Sequence, residues 1–251
     1  MHRLSAIWPP LLTCAVILLA WQAISNYEIV NPALLPPPSR VFPQLWEMIA
    51  SGAVLAPLGY TLGYLAVGYA LGCGAGIVLG LLMGTNQHVF NLFEPLVELI
   101  RPIPKPALIP PLFLFIGIGP ATKLTVIALA TFFPVLLNTI QGVRGVDPVM
   151  VNTARTLGHS ALSTILKIIL PAALPLILVG MRLALGLALI LVILAEMLIG
   201  STGLGYQIID LQRSFVVTEM FAWIIILGVI GVLLNAIFEQ IERWAVPWRA
   251  K

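Results

Sequence analysis

DPVMVNTARTLGHSALSTILKIILP, residues 147–171, is a moderately polar island between long apolar runs. Asp147 followed by Pro148 reads as an N-cap and a first helical position, since proline's fixed φ suits the first turn and its missing N–H is not needed there. Gly158 ends that helix, because a left-handed position beyond the last turn costs glycine nothing. Ser160 can cap a second helix, which runs through Ile168 and Leu170 and meets Pro171. The segment therefore predicts helix, glycine turn, helix, and then a membrane span. Arg144, Arg155, His159 and Lys167 sit on or beside it.

Outward from that island the chain is apolar. Its 251 residues are 60% hydrophobic and 9% charged, with a mean hydropathy of +1.04. Soluble domains carry roughly 25% charged residues, so composition excludes a soluble globule. It implies an all-α polytopic membrane protein, with residues 1–251 as one domain. The pI near 9.1 comes from basic residues spread along loops, which is a topology signal and not a nucleic-acid surface. Cys14 and Cys73 both fall in apolar runs and behave as small hydrophobes, not as a disulfide or metal pair. His2, His88 and His159 are too scattered for a metal site. No Ser/His/Asp set has informative spacing. No G-x-x-x-x-G-K-[ST] loop occurs, so nucleotide energy would have to come from another chain. No cofactor is expected in this one.

Six spans are predicted. The first, 7–24, has a basic flank at Arg3, but Trp21 and Gln22 follow it in place of a small-residue cleavage site, so it is read as retained. Pro32 to Pro43 then holds five prolines, and helix cannot persist through Pro36, Pro37 and Pro38. Ser39 can cap a short helix with Val41, Leu45, Met48 and Ile49 at helical spacing, suited to the membrane interface. The second span, 58–83, carries Gly63, Gly68, Gly72, Gly76 and Gly80, which let helix backbones approach closely. A second polar island at 91–105 holds Glu94, Glu98, Arg101 and Lys105, crowded by prolines. The apolar run after it, 107–118, makes only about 18 Å of helix. Either the third span begins near Phe93 with a proline break inside it, or a helix enters from the cytoplasm at an angle. A tight turn at Gly117, Gly119 and Pro120 leads to the fourth span, 124–140, interrupted by Pro134. The fifth, 172–199, is kinked at its start by Pro171 and Pro175 and thinned at Gly180 and Gly186. STGLGY at 201–206 reverses the chain, 208–219 is a polar connection, and the sixth span is 221–241.

Basic residues orient these spans. Arg3, Arg101, Lys105, Arg144, Arg155, Lys167, Arg243, Arg249 and Lys251 fall on one side, and Arg40, Lys123 and Arg213 on the other. The richer side is the cytoplasmic one, so both termini and the 147–171 loop are expected in the cytoplasm.

Ala154, Gly158, Ile168, Leu170 and Pro171 stand at the spacing of a known signature: E-A-A, three residues, G, nine residues, I-x-L-P. In this the chain resembles the membrane subunits of binding-protein-dependent ABC importers, whose cytoplasmic EAA loop has that form. Asn152 and Thr153 replace the usual Glu and first Ala. LPAALPLILVGMRLALG and AEMLIGSTGLGYQI resemble the subgroup importing nitrate, sulfonates and taurine. The resemblance implies a type I importer (MetI-like) permease fold in a bacterial inner membrane. It implies a homodimer of permease subunits, two separate ATPase subunits that hold ATP and Mg, and an extracytoplasmic solute-binding protein. Asn152, Thr153, Ala154, Gly158, Ile168, Leu170 and Pro171 would then form the ATPase-coupling loop, and the chain itself would not be an enzyme.

Two ionisable residues stand inside the fifth span. Glu196 either lines or gates a pathway, or it caps the glycine turn at 201–205 by accepting backbone N–H bonds. Arg182 either reaches back to the cytoplasmic interface or binds an anionic solute. The two are 14 positions apart, roughly 21 Å along a helix, and cannot pair with one another. Arg213 and Lys123 lie where an anion would arrive. An ion-gradient-driven secondary carrier is the main alternative, but it calls for internal repeats and several intramembrane acids. An intramembrane enzyme would need a positioned base or nucleophile.

Overall fold

A computed structural model describes residues 8–248. His2, Arg3, Ile7, Arg249 and Lys251 lie outside the described residues. Within them the secondary structure is entirely helical.

The centre is set by a glycine repeat. Glycines 68, 72, 76, 80 and 84 recur every fourth residue on α3 (Leu55–Thr85), so they stack on one helix face. The fourth span, α6 (Pro120–Arg144), lies against that face. Gly68 meets Ile127, Gly72 meets Thr131, Gly76 meets Val135, Gly80 meets Thr139 and Gly84 meets Val143. Each step of four on one helix is answered by a step of four on the other, in the same direction. α3 and α6 therefore run parallel, closer than side chains would allow. Thr131 and Thr139 turn their hydroxyls back onto the Ile127 and Val135 carbonyls, 3.0 and 2.7 Å away, so the contact leaves neither group orphaned. Gly63 stands apart from this stripe, with open space where a Cβ would be.

Parallel neighbours need a returning connection. Residues 86–119 supply it in two pieces, α4 (Gln87–Ile100) and, after a 3-10 turn at Lys105–Leu108, α5 (Ile109–Ile116). Asn86 caps α4 by accepting the N–H groups of His88 and Val89 at 2.9 and 3.3 Å. The bend between Gln87–Ile100 and Lys105–Ile116 is 87°. The chain therefore breaks at the prolines between the two pieces, as both readings of this region require: a span begun near Phe93 with a break inside it, or a helix entering at an angle. Pro102, Pro104 and Pro106 cannot supply helical N–H donors. Lys105 takes over that duty: its Nζ donates to the carbonyls of Ile100, Arg101 and Ile103 at 2.9, 3.2 and 3.0 Å.

The 147–171 island folds as α7 (Pro148–Thr156) and one turn of helix, α8 (Ala161–Thr164). The second helix does not stop at Pro171. It passes through a π-helical turn at Ile165–Ile169 directly into α9 (Leu170–Ile199), so that Ala161–Ile199 is one continuous rod. A π turn lets the Leu170 N–H reach the Ile165 carbonyl, and this widening accommodates a proline that lacks a donor of its own. α9 runs antiparallel to α6. Gly142 packs on Ala173, Gly180 sits over Asn138 and the Pro134 carbonyl, and Leu191 and Ala195 cluster with Val126 and Ala130.

The remaining helices wrap this three-helix centre. α10 (Leu204–Arg213) and α11 (Val217–Ala245) follow α9, and α2 (Pro38–Ala50) packs on α11 through Val41 and Met48. Ser39 is not the cap of α2. The helix starts one residue earlier, and the Ser39 N–H is received by Gln22 Oε1 at 3.1 Å, from α1 (Trp8–Asn26). Among the described residues α3, α6, Ala161–Ile199 and α11 are each long and apolar enough to cross a membrane, and the bent α4–α5 pair can count as a further span. α1 adds a shorter apolar stretch, Leu12–Asn26. The chain is a multi-pass membrane protein.

Candidate coupling loop and buried polar knot

At one end of the bundle the 147–171 loop forms a rigid corner. Asp147 accepts the Val149 N–H at 2.8 Å, so the carboxylate caps α7. The other end closes as a Schellman turn: the Gly158 N–H donates to the Arg155 carbonyl and the His159 N–H to the Ala154 carbonyl, at 3.0 and 3.1 Å. Gly158 has φ +78°, as that turn demands. Ser160 then accepts the Ser163 N–H at 3.2 Å and starts the next helix.

The corner has an inside and an outside. Ala154 is 2% exposed, and Val146, Val151 and Ile165 pack around Val143 and Ile169. On the outside, Val149 and Leu157 are 67% and 73% exposed, and Met150 is exposed beside them. Together with Ala154 and Ile168 they line a hollow of about 310 Å³. Asn152 and Thr153 are exposed on the same helix. Thr153 spends its hydroxyl on the Val149 carbonyl at 2.8 Å, whereas among the described residues the Asn152 amide has no hydrogen bond. Leu170 and Pro171 lie at the root of α9, half-buried, and so carry the corner rather than present it. The signature positions mark this fold, but Val149, Met150 and Leu157, the apolar groups it displays, escaped the sequence reading. A helical wheel of α7 would have flagged Val149 and Met150.

At the opposite end, Glu196 is 0% exposed. It accepts the Gly205 N–H at 2.9 Å, the bond expected of a cap on the glycine reversal. It also accepts the hydroxyl of Thr61, whose oxygen is 2.9 Å from both carboxylate oxygens. Thr61 Oγ1 in turn accepts the Leu204 N–H at 2.9 Å. Nothing in the spacing of Thr61 announced that role. Gly203, at φ +104°, leaves room for the carboxylate, since any Cβ there would collide with it.

Arg182 is far from this knot. Its Nη2 lies 2.6 Å from Glu242 Oε2 on α11, and its guanidinium carbon is 6.0 Å from the centre of the Phe238 ring. An intramembrane cation calls for an acid at the same depth; Glu242 is that acid, and the sequence reading had not paired them. Of the two cations expected on the outer side, Arg213 is exposed and Lys123 is buried. The predicted site residues therefore fall into a loop at one end, a knot at the other and an ion pair between helices, with no single centre.

Residues 76–251 match the family described as the binding-protein-dependent transport system inner membrane component. The chain belongs to that family. Within it, the permease is 37% identical over 239 residues to a Bacillus subtilis (strain 168) protein named for aliphatic sulfonates transport, the permease SsuC; the match covers 95% of this chain and 87% of the relative. It is 31% identical over 253 residues to the taurine transport system permease protein TauC of Escherichia coli (strain K12), covering 95% and 89%. The nitrate import permease protein NrtB of Synechocystis is 30% identical over 251 residues, covering 96% and 90%. Among solved structures, the inward-facing MetNI methionine ABC transporter superposes with a TM-score of 0.64 at 19% identity, over 81% of this chain and 98% of that one. The permease thus has the MetI-like fold and belongs to the ABC importer subgroup with sulfonate, taurine and nitrate relatives.

Proposed function

We propose that two copies of this permease line one path through the inner membrane for a small solute of the sulfonate, taurine or nitrate kind. Each copy couples to a separate ATPase subunit through residues 147–171, on the cytoplasmic side, and an extracytoplasmic binding protein delivers solute at the far end. The ATPase holds ATP and Mg; this chain supplies the path and the lever. One observation carries the reading: α7 is a capped, short helix outside the apolar spans, yet it turns Val149, Met150 and Leu157 outward. Exposed apolar groups on a rigid polar element mark an interaction surface. Because α8 runs without a break into α9, a push on that surface is delivered along a rod to Glu196 at its other end. Ala161–Ile199 is 39 residues, about 58 Å of helix.

Reconstitution tests the proposal. Proteoliposomes holding the permease, its ATPase and its binding protein should take up radiolabelled taurine when ATP is enclosed. Permease alone should take up none, even under an imposed proton or sodium gradient; gradient-driven uptake without the ATPase would replace this reading with that of a secondary carrier.

A further inference from the structure

The buried carboxylate of Glu196 raises a question of charge. Its hydrogen-bond donors, Thr61 and the Gly205 N–H, are both neutral. A full negative charge taken out of water is costly unless a positive charge compensates it. Arg182 is committed to Glu242 and lies too far along α9.

The remaining cation at this level is Lys123, one turn into α6. It is 5% exposed. Its Nζ stands 4.9 Å from the centre of the Tyr64 ring, on α3, one turn from Thr61. Among the described residues its ammonium makes no hydrogen bond and no direct ion pair. A ring face offsets only part of the cost of burying an ammonium. α6 and α9 run antiparallel and are in contact at this depth through Val126, Ala130, Leu191 and Ala195, which brings Lys123, one turn before Val126, level with Glu196, the neighbour of Ala195.

We propose that Lys123 is the counter-ion of Glu196, and that the pair, with Thr61, is a positioning device fastening the reversal at 200–205 to α3, α6 and α9. The inference rests on the permease reading only for its consequence, which is that the far mouth moves as one piece. Four elements meet at the knot: Thr61 and Tyr64 from α3, Lys123 from α6, Glu196 from α9, and the first amides of α10. Leu204 and Gly205 are held by their N–H groups, so α10 cannot swing away unless the carboxylate or the threonine lets go. Glu196 and Lys123 are positioning residues; neither is offered as a ligand for the solute.

The test uses the accessibility of the reversal. Ser201 is exposed, and a Ser201→Cys chain carrying Cys14→Ser and Cys73→Ala reports its motion through the rate of labelling by a membrane-impermeant maleimide. Lys123→Met and Glu196→Gln should each speed labelling about tenfold, the ratio that corresponds to about 1.4 kcal/mol. The double variant, which removes both charges, should return to within about threefold of the parent, as coupled neighbours do. Thr61→Ser should label like the parent and Thr61→Val like the single charge variants. If the single variants do not accumulate in the membrane, recovery of accumulation in the double variant is the equivalent result. Single variants that label like the parent, or a double variant no better than the worse single, overturn the proposal. In the assembled transporter the single variants should lower the maximal rate of taurine uptake and leave its half-saturating concentration unchanged. A parent complex that fails to move taurine contradicts the proposed solute, while the labelling result still decides the counter-ion.

Discussion

Gly158 shows how a single residue can be required for its backbone alone. A Cβ added there would touch nothing within 4 Å, yet its φ is +78°. Crowding and strain therefore separate cleanly. Gly158→Asn should be tolerated, since asparagine visits the left-handed region, whereas Gly158→Val should cost at least about 1–2 kcal/mol of the turn. The measurement is co-purification of the ATPase subunit with each variant: loss with Val and retention with Asn is the expected pair of results. Equal retention would detach the turn from docking. Arg182 makes the complementary case, in which the partner matters more than the residue. Its side chain keeps 40% of its exposure and that of Glu242 keeps 18%, so the pair is half-buried, between a surface bridge and a fully desolvated one. Glu242→Gln should destabilise the detergent-solubilised protein by about 1 kcal/mol, seen as a lower thermal midpoint. Gly158 was legible in the sequence because it acts within its own turn. Glu242 was not, because 60 positions separate it from Arg182 and only packing brings them together.

At the scale of the helix, five glycines do one job. Those at 68, 72, 76, 80 and 84 bring α3 onto α6, and what they meet differs in how far it can yield. A Cβ on Gly76 would lie 2.8 Å from the Phe132 carbonyl oxygen and 3.1 Å from the Leu136 nitrogen, both backbone atoms. Gly76→Ala should force the helices apart at a cost of about 1–3 kcal/mol. Gly63→Ala meets nothing within 4 Å and should leave the thermal midpoint within about 1 °C of the parent, or raise it, since alanine is the better helix former. Similar losses from both would mean that the stripe is not what sets the α3–α6 distance. The repeat could be read from the sequence as a close-packing face, but its partner could not. The proline break in the third span could be read as well, but not its 87° angle, at which Lys105 caps the carbonyls of Ile100, Arg101 and Ile103.

For the whole molecule the two ends are joined by one rod. Residues 161–199 carry the displayed corner at one end and the Glu196 knot at the other, so a disturbance at the corner should be felt as lost coupling and not as lost folding. Leu157→Asp is the sharpest probe. Leu157 is 73% exposed, and an exposed substitution away from special features changes stability by about 0.5 kcal/mol or less. The variant should insert and keep its thermal midpoint while losing ATPase binding and ATP-driven uptake together. Retained uptake would move the docking surface elsewhere. Stability lost along with uptake would mean that the leucine serves this chain's own packing.

Local rules carried the sequence a long way: the apolar runs, the caps at Asp147 and Ser160, the left-handed Gly158 and the glycine repeat all depend on a residue and its near neighbours. Tertiary structure alone decided which faces met. Thr61 beneath Glu196, Lys123 against Tyr64 and Glu242 beside Arg182 are pairings between helices, and inside an apolar bundle a buried polar group has to find a partner wherever the packing offers one. That choice is made in three dimensions by depth and facing, neither of which is written in the order of the residues.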